Sequence, residues 1–198
     1  MNRRGLGALL TLAVVVALPA LAKQREDGKP AIEELSARWA GNRAYVSYQL
    51  SGSLPEETLD KIHSGIPVGF RHRIEIVSKR RGLFAPDKLV ARVIVDKQVE
   101  YDSLTQRYTL ERTVEIKSQE KRSAPEPREE RQVIDSEEEM KSWVATQDEI
   151  PLFDPARPFP EEADLRVRVE VALGRRWFLL IFPTTQTVSA EIVLEARE

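Results

Sequence analysis

Two histidines, His63 and His72, are the only imidazoles in the chain, and there is no cysteine. Nucleophilic, metal or proton-transfer chemistry would therefore have to be built from these two residues, hydroxyls, lysines and carboxylates. His63 stands where a helix should end, and an imidazole there interacts favourably with the helix dipole. His72 lies between Arg71 and Arg73 with no Cys, Asp or second His at ligand spacing, so it is read as a satisfied core or rim histidine. The run Glu137-Glu138-Glu139 suggests acid–base work, but consecutive helical residues point in different directions, and an acidic first turn suits the dipole. Ser78 and Lys79 are neighbours on a strand and face opposite ways. There is no Gly-x-Ser-x-Gly elbow, no His-Glu-x-x-His and no phosphate-cradling loop, since the nine glycines are scattered at turns. A converging carboxylate pair stays open, because 32 acidic residues leave many combinations. The expectation is no catalytic residue, no cofactor, no metal and no enzymatic activity.

Four arginines offer binding chemistry instead. Arg71 and Arg73 alternate on one strand and Arg166 and Arg168 on a later one, so neighbouring strands would line them up as a basic stripe. Guanidinium groups suit bidentate capture of carboxylates or phosphates, on an envelope protein or an anionic lipid surface. The competing reading, and the preferred one, is that Glu75 and Glu170 neutralise the stripe through cross-strand pairs worth about 0.2–1 kcal/mol each.

These arginines depend on strands read from period-two alternation. Phe70, His72, Ile74 and Ile76 oppose Arg71, Arg73 and Glu75, and Leu89, Ala91, Val93, Val95, Val99 and Tyr101 oppose Arg92, Asp96, Gln98 and Glu100. The two segments, joined by the turn-rich RGLFAPDK, form the spine of an antiparallel sheet. Lys97 interrupts the inner row, and because an unpaired buried ammonium is costly it is placed at a β-bulge or the sheet rim. A third strand carries Tyr108, Leu110, Val114 and Ile116.

Around the spine, Leu35–Trp39 and Ala44–Leu50 form a hairpin about Gly41-Asn42. Ser53 and Glu56 make a capping box for a short helix that Gly65 ends. Residues 117–132 (KSQEKRSAPEPREERQ) are mixed-charge and free of aromatics, and are read as an exposed loop. A second helix spans Asp135–Gln147, with Ser136 and Glu139 as its capping box. Pro151–Pro160 crosses the surface. Strand pattern resumes at Leu165–Val171 and Val188–Leu194, and between them the apolar run Trp177–Phe182 reads as a strand covered on both faces.

The N-terminus has the form of an export signal. Arg3 and Arg4 precede the apolar run Leu6–Leu18, and Ala20-Leu21-Ala22 ends it, so residues 1–22 are expected to be cleaved after Ala22, leaving a periplasmic or extracytoplasmic protein, soluble after that cleavage. The absence of cysteine excludes a lipid-anchored lipoprotein and a disulfide framework. Without Arg3 and Arg4, 28 basic residues face 32 acidic ones and the formal net charge moves from −2 to −4. That balance does not fit a nucleic-acid binder.

Gly65-Ile66-Pro67-Val68-Gly69-Phe70 ahead of a basic strand, and Tyr101-Asp102-Ser103-Leu104-Thr105-Gln106-Arg107-Tyr108 further on, resemble the uncharacterised exported bacterial family known as domain of unknown function 4390. The similarity runs from about Leu35 to Val171. It implies a signal peptide, a Gly-Ile-Pro-like corner after a helix and a Tyr-x-x-Leu-Thr-x-x-Tyr-like step between strands, and it brings no catalytic residues. The chain departs from the family pattern at Arg176–Pro183. The fold expected is mostly β: one immunoglobulin-like antiparallel sandwich over 23–198, of about eight strands with two short peripheral helices. The function expected is a non-enzymatic binding or scaffolding module of the cell envelope, and the alternative is a periplasmic carrier holding an apolar ligand between its sheets.

Overall fold

The computed structural model describes residues 29–40, 43–79, 87–117, 126–152, 165–178 and 182–194. Residues 1–22, Gly41-Asn42, most of the RGLFAPDK turn, and Pro155, Pro158 and Pro160 lie outside them. In chain order the elements are β1 (Ala31–Ala40), β2 (Arg43–Ser51), α1 (Glu56–His63), β3 (Val68–Ser78), β4 (Lys88–Asp102), β5 (Arg107–Lys117), β6 (Arg128–Ile134), α2 (Glu137–Ala145), β7 (Thr146–Pro151), β8 (Leu165–Phe178) and β9 (Phe182–Val193).

Every strand pairing is antiparallel. One sheet has the order β6-β5-β4-β3-β8-β9 and the other β1-β2-β7. The mostly β, two-sheet, sandwich-like architecture with two helices is the one alternation predicts. Its core joins Val46, Tyr48 and Leu50 of β2 to Phe70, Ile74 and Ile76 of β3, Val93, Val95 and Val99 of β4, and Val167, Val169 and Val171 of β8. A one-residue slip would turn all these side chains outward, so burial holds the register.

Several elements differ from expectation. Lys97 occupies no bulge: β3 and β4 stay in register from Val68 opposite Val99 to Ile76 opposite Ala91, and the irregularity falls between Ile76 and Val77. Helix α1 starts at Pro55, which is extended (ψ 158) and stands as N-cap without a side-chain hydrogen bond. Ser53 is thus too far out to cap it and is buried instead. At the second helix the N-cap bond of the expected capping box does form, with Ser136 Oγ accepting from the Glu139 N–H at 3.2 Å.

In the segment 117–132, residues 118–125 lie outside the described ones, and the rest is exposed as expected. Yet Arg128–Gln132 is strand, the first part of β6, rather than loop. An edge strand pairs on one side only, so charged side chains can fill it and discourage further pairing. Cross-strand contacts Arg112–Glu130 (3.4 Å) and Arg131–Glu111 (3.5 Å) replace the missing apolar signal. Likewise α2 ends at Ala145, and Thr146–Pro151 is strand β7, where a longer helix was expected. Trp177–Phe182 is no single strand, because Phe178 pairs with Phe182 and the run spans the end of β8 and the start of β9.

Helix α1 closes as expected at Gly65 (φ 74). Gly65 N–H donates to Ile62 O at 2.9 Å and Ile66 N–H to Lys61 O at 3.0 Å, a Schellman motif that needs a left-handed residue there. Gly65→Ala is expected to lower stability by about 1 kcal/mol, measured by denaturant unfolding.

Candidate functional site

Strands β3 and β8 are neighbours, so the four arginines do lie on one outer face, but each already holds a carboxylate. Arg71 forms a two-point contact with Asp96 at 2.6 and 3.0 Å. Arg73 reaches Glu170 at 3.3 Å. Arg166 and Arg168 share Glu191 at 2.8 and 3.0 Å, and Arg168 also reaches Asp87 at 3.2 Å. Glu75, expected to serve these arginines, pairs with Arg92 at 2.7 Å. The face is an alternating charge lattice rather than a stripe. Exposed pairs of this kind contribute about 0–1 kcal/mol each.

The unusual chemistry lies inside. Tyr48 on β2 and His72 on β3, both buried, meet across the two sheets at 2.7 Å between Oη and Nδ1. Burial pushes the Tyr48 phenol above its ordinary range and keeps it protonated, and the tautomer of the His72 ring sets which of the two groups donates. Burial, with Lys97 and Arg112 adding repulsion, holds the His72 imidazole down at about 3. It is neutral at any physiological pH. Gln147 stands opposite Tyr48 on β7 and is itself buried.

Lys97, only 4% exposed, extends from the inner face of β4. Its Nζ donates to Trp143 O, and to Thr146 O at 3.0 Å, and lies 4.5 Å from the centre of the Trp143 ring. Helix α2 has three acidic residues in its first turn and no basic residue in its last. A lysine from the neighbouring sheet therefore supplies the cation that the C-terminal carbonyls lack. Burial, then Arg112, pull Lys97 down to about 7, against an opposing contribution from Asp148. Arg112 is its cross-strand partner on β5, and Glu130 stands opposite Arg112 on β6.

The sequence carried two signals of this cluster, a histidine and a lysine each set in an otherwise apolar alternating row. The burial rule then misdirected the lysine to a bulge or the rim, because a helix terminus as its partner is not visible in local pattern. Gln147 was missed because it was read as helix. Among the described residues no group of three or more His, Cys, Asp or Glu residues is placed to hold a metal ion, and no helix is long and apolar enough to cross a membrane.

A second assembly lies at one end of the large sheet, where α1 ends, β3 begins and β4 turns into β5. His63 Nε2 lies 3.1 Å from Tyr108 Oη and 3.3 Å from Glu137. The Tyr101 and Tyr108 rings pack at 4.8 Å. Burial, then Glu137, raise the Tyr108 phenol, while Lys141 and more weakly His63 lower the Glu137 carboxyl. The turn itself is built around Asp102, which accepts from the Leu104 N–H at 2.8 Å and from Thr105 Oγ1 at 2.9 Å. Those bonds, the Thr105 hydroxyl foremost, hold the Asp102 carboxyl below its usual range. At the tip Leu104 is 93% exposed, and Ile66 at the same end is 53% exposed. Neither was singled out by sequence as a contact residue.

Fold and site together define an all-antiparallel, two-sheet β domain with a polar centre and an apolar-tipped turn. The chain belongs to the family described as Domain of unknown function (DUF4390), whose sequence profile matches residues 28–177. That range contains both assemblies and leaves β9 outside. No curated protein and no solved structure matches the chain.

Proposed function

We propose that the protein is an exported, non-enzymatic binding module of the bacterial cell envelope that docks a protein partner through the end carrying Leu104. The observation that supports this most is a large apolar side chain, 93% exposed, on a turn fixed by the Asp102 carboxylate. Such a residue gains nothing inside its own fold and suits insertion into a partner's pocket. Ile66 adds apolar surface at the same end. The arginine face is the weaker candidate, since its carboxylates would have to be displaced first. Export is supported by Arg3, Arg4, the Leu6–Leu18 run and Ala20-Leu21-Ala22. The carrier reading comes second: parting the sheets would break the Tyr48–His72 bond and a core to which both sheets contribute.

Paired substitutions distinguish the surfaces. Leu104→Glu with Ile66→Glu is expected to weaken the complex formed in envelope extract at least tenfold, read by size-exclusion chromatography, with unchanged thermal unfolding. Arg71→Gln with Arg73→Gln is expected to leave it intact. The opposite outcome would move the contact to the charged face.

A further inference from the structure

Within the buried cluster three polar atoms have no hydrogen-bond partner among the described residues: His72 Nε2, Arg112 Nε and Gln147 Oε1. Arg112 Nε is an N–H donor, and strand pairing sets these residues around one ammonium. Arg112 is opposite Lys97, His72 is diagonal to Lys97 across β3 and β4, and Gln147 is opposite Tyr48, the residue bonded to His72. Lys97 and Arg112 bring two positive charges. The carboxylate in contact is Glu130, 3.4 Å from Arg112 and 64% exposed on the edge strand. Asp148 acts on Lys97 only from an exposed position. An interior with more cation than anion is costly unless an anion joins it.

We propose that this cluster is a binding site for a single carboxylate group, with Lys97 and Arg112 as its counter-charges and His72, in the tautomer that carries its proton on Nε2, as a donor. One negative charge balances the excess left after Glu130, whereas a phosphate dianion would overshoot it. Entry is from the β6 edge, because exposure rises along the row from His72 and Lys97, both buried, to Arg112 and then Glu130. The groups facing Lys97 are His72 from β3, Arg112 from β5, the Trp143 ring and carbonyl from α2, and Thr146 O and Asp148 from β7. Of these only the Lys97 ammonium changes charge near neutrality, so carboxylate binding must draw a proton onto it.

The Trp143 indole N–H signal, assigned with a Trp143→Phe variant, reports binding in two-dimensional NMR. Titrations with acetate and with octanoate near pH 6.5 are each expected to shift it saturably. Affinity should fall more than about tenfold on raising the pH by two units through the Lys97 titration, and about tenfold or more in Arg112→Gln. Much tighter octanoate binding would identify the head of an acyl chain as the source, and equal affinities a free small carboxylate. Non-saturating shifts with both acids, or affinity independent of pH in the intact protein, would overturn the proposal.

Discussion

Raising the pH from 7 toward 10 is expected to stabilise the protein, by up to about 1.4 kcal/mol per pH unit. The cause is Lys97, whose ammonium is held down at about 7 in the folded chain and returns to its ordinary value of 10.5 on unfolding. Between those values the unfolded chain binds the extra proton. Stability therefore rises with pH across that window, and the cost of the buried cation is greatest below it. A neutral amine still has an N–H for each of the two carbonyls, though it donates more weakly than the ammonium, so deprotonation need not release α2. Denaturant unfolding at several pH values should show the slope in the parent and lose it in Lys97→Met. The same slope in both would assign it to other groups. Lys97→Met should also speed amide exchange in α2 and β7, because Trp143 O and Thr146 O lose their donor.

Acid is expected to destabilise the protein through His72, by up to the order of 4 kcal/mol. Its imidazole titrates at about 3 when folded and at an ordinary 6.5 when unfolded. The unfolded state again binds more protons between those values, so stability is fully present above about 6.5 and is lost as the pH falls toward 3. Carboxylates with lowered values, such as Asp102 and Glu191, act in the same direction, and a paired variant is needed to isolate the histidine. Tyr48→Phe alone should cost about 1–3 kcal/mol, because it leaves His72 Nδ1 unsatisfied in the core. Tyr48→Phe with His72→Phe removes both partners at similar shape. It should recover much of that loss and flatten the profile below pH 6.5. A double variant as acid-sensitive as the parent would place the titrating group elsewhere.

Alternation was enough to locate β3, β4 and β5, because half-buried strands need an apolar row at alternate positions and these keep one, broken at His72, Lys97 and Arg112. It failed at β6, where an edge strand is held by Arg112–Glu130 and Arg131–Glu111 and needs no apolar row. It also failed at β7, whose TQDEIP buries only Gln147 and Ile150. The preferred reading of the four arginines as a neutralised face holds, since β3 and β8 are neighbours and each guanidinium meets a carboxylate. Glu170 was legible as a neutralising residue and does pair with Arg73, whereas Asp96 and Glu191 were not, since they become neighbours only through strand order. The buried cluster depends on contacts between residues far apart in the chain, 49 positions in the case of Lys97 and Thr146. Local pattern holds no record of them.

Docking through the Leu104 end is tested most directly by photo-crosslinking in living cells, with the reactive residue placed in turn at position 104 and at position 168. A discrete protein adduct from 104 that is absent from 168 is the predicted result. An adduct from 168 alone would contradict it and move the contact surface to the arginine face.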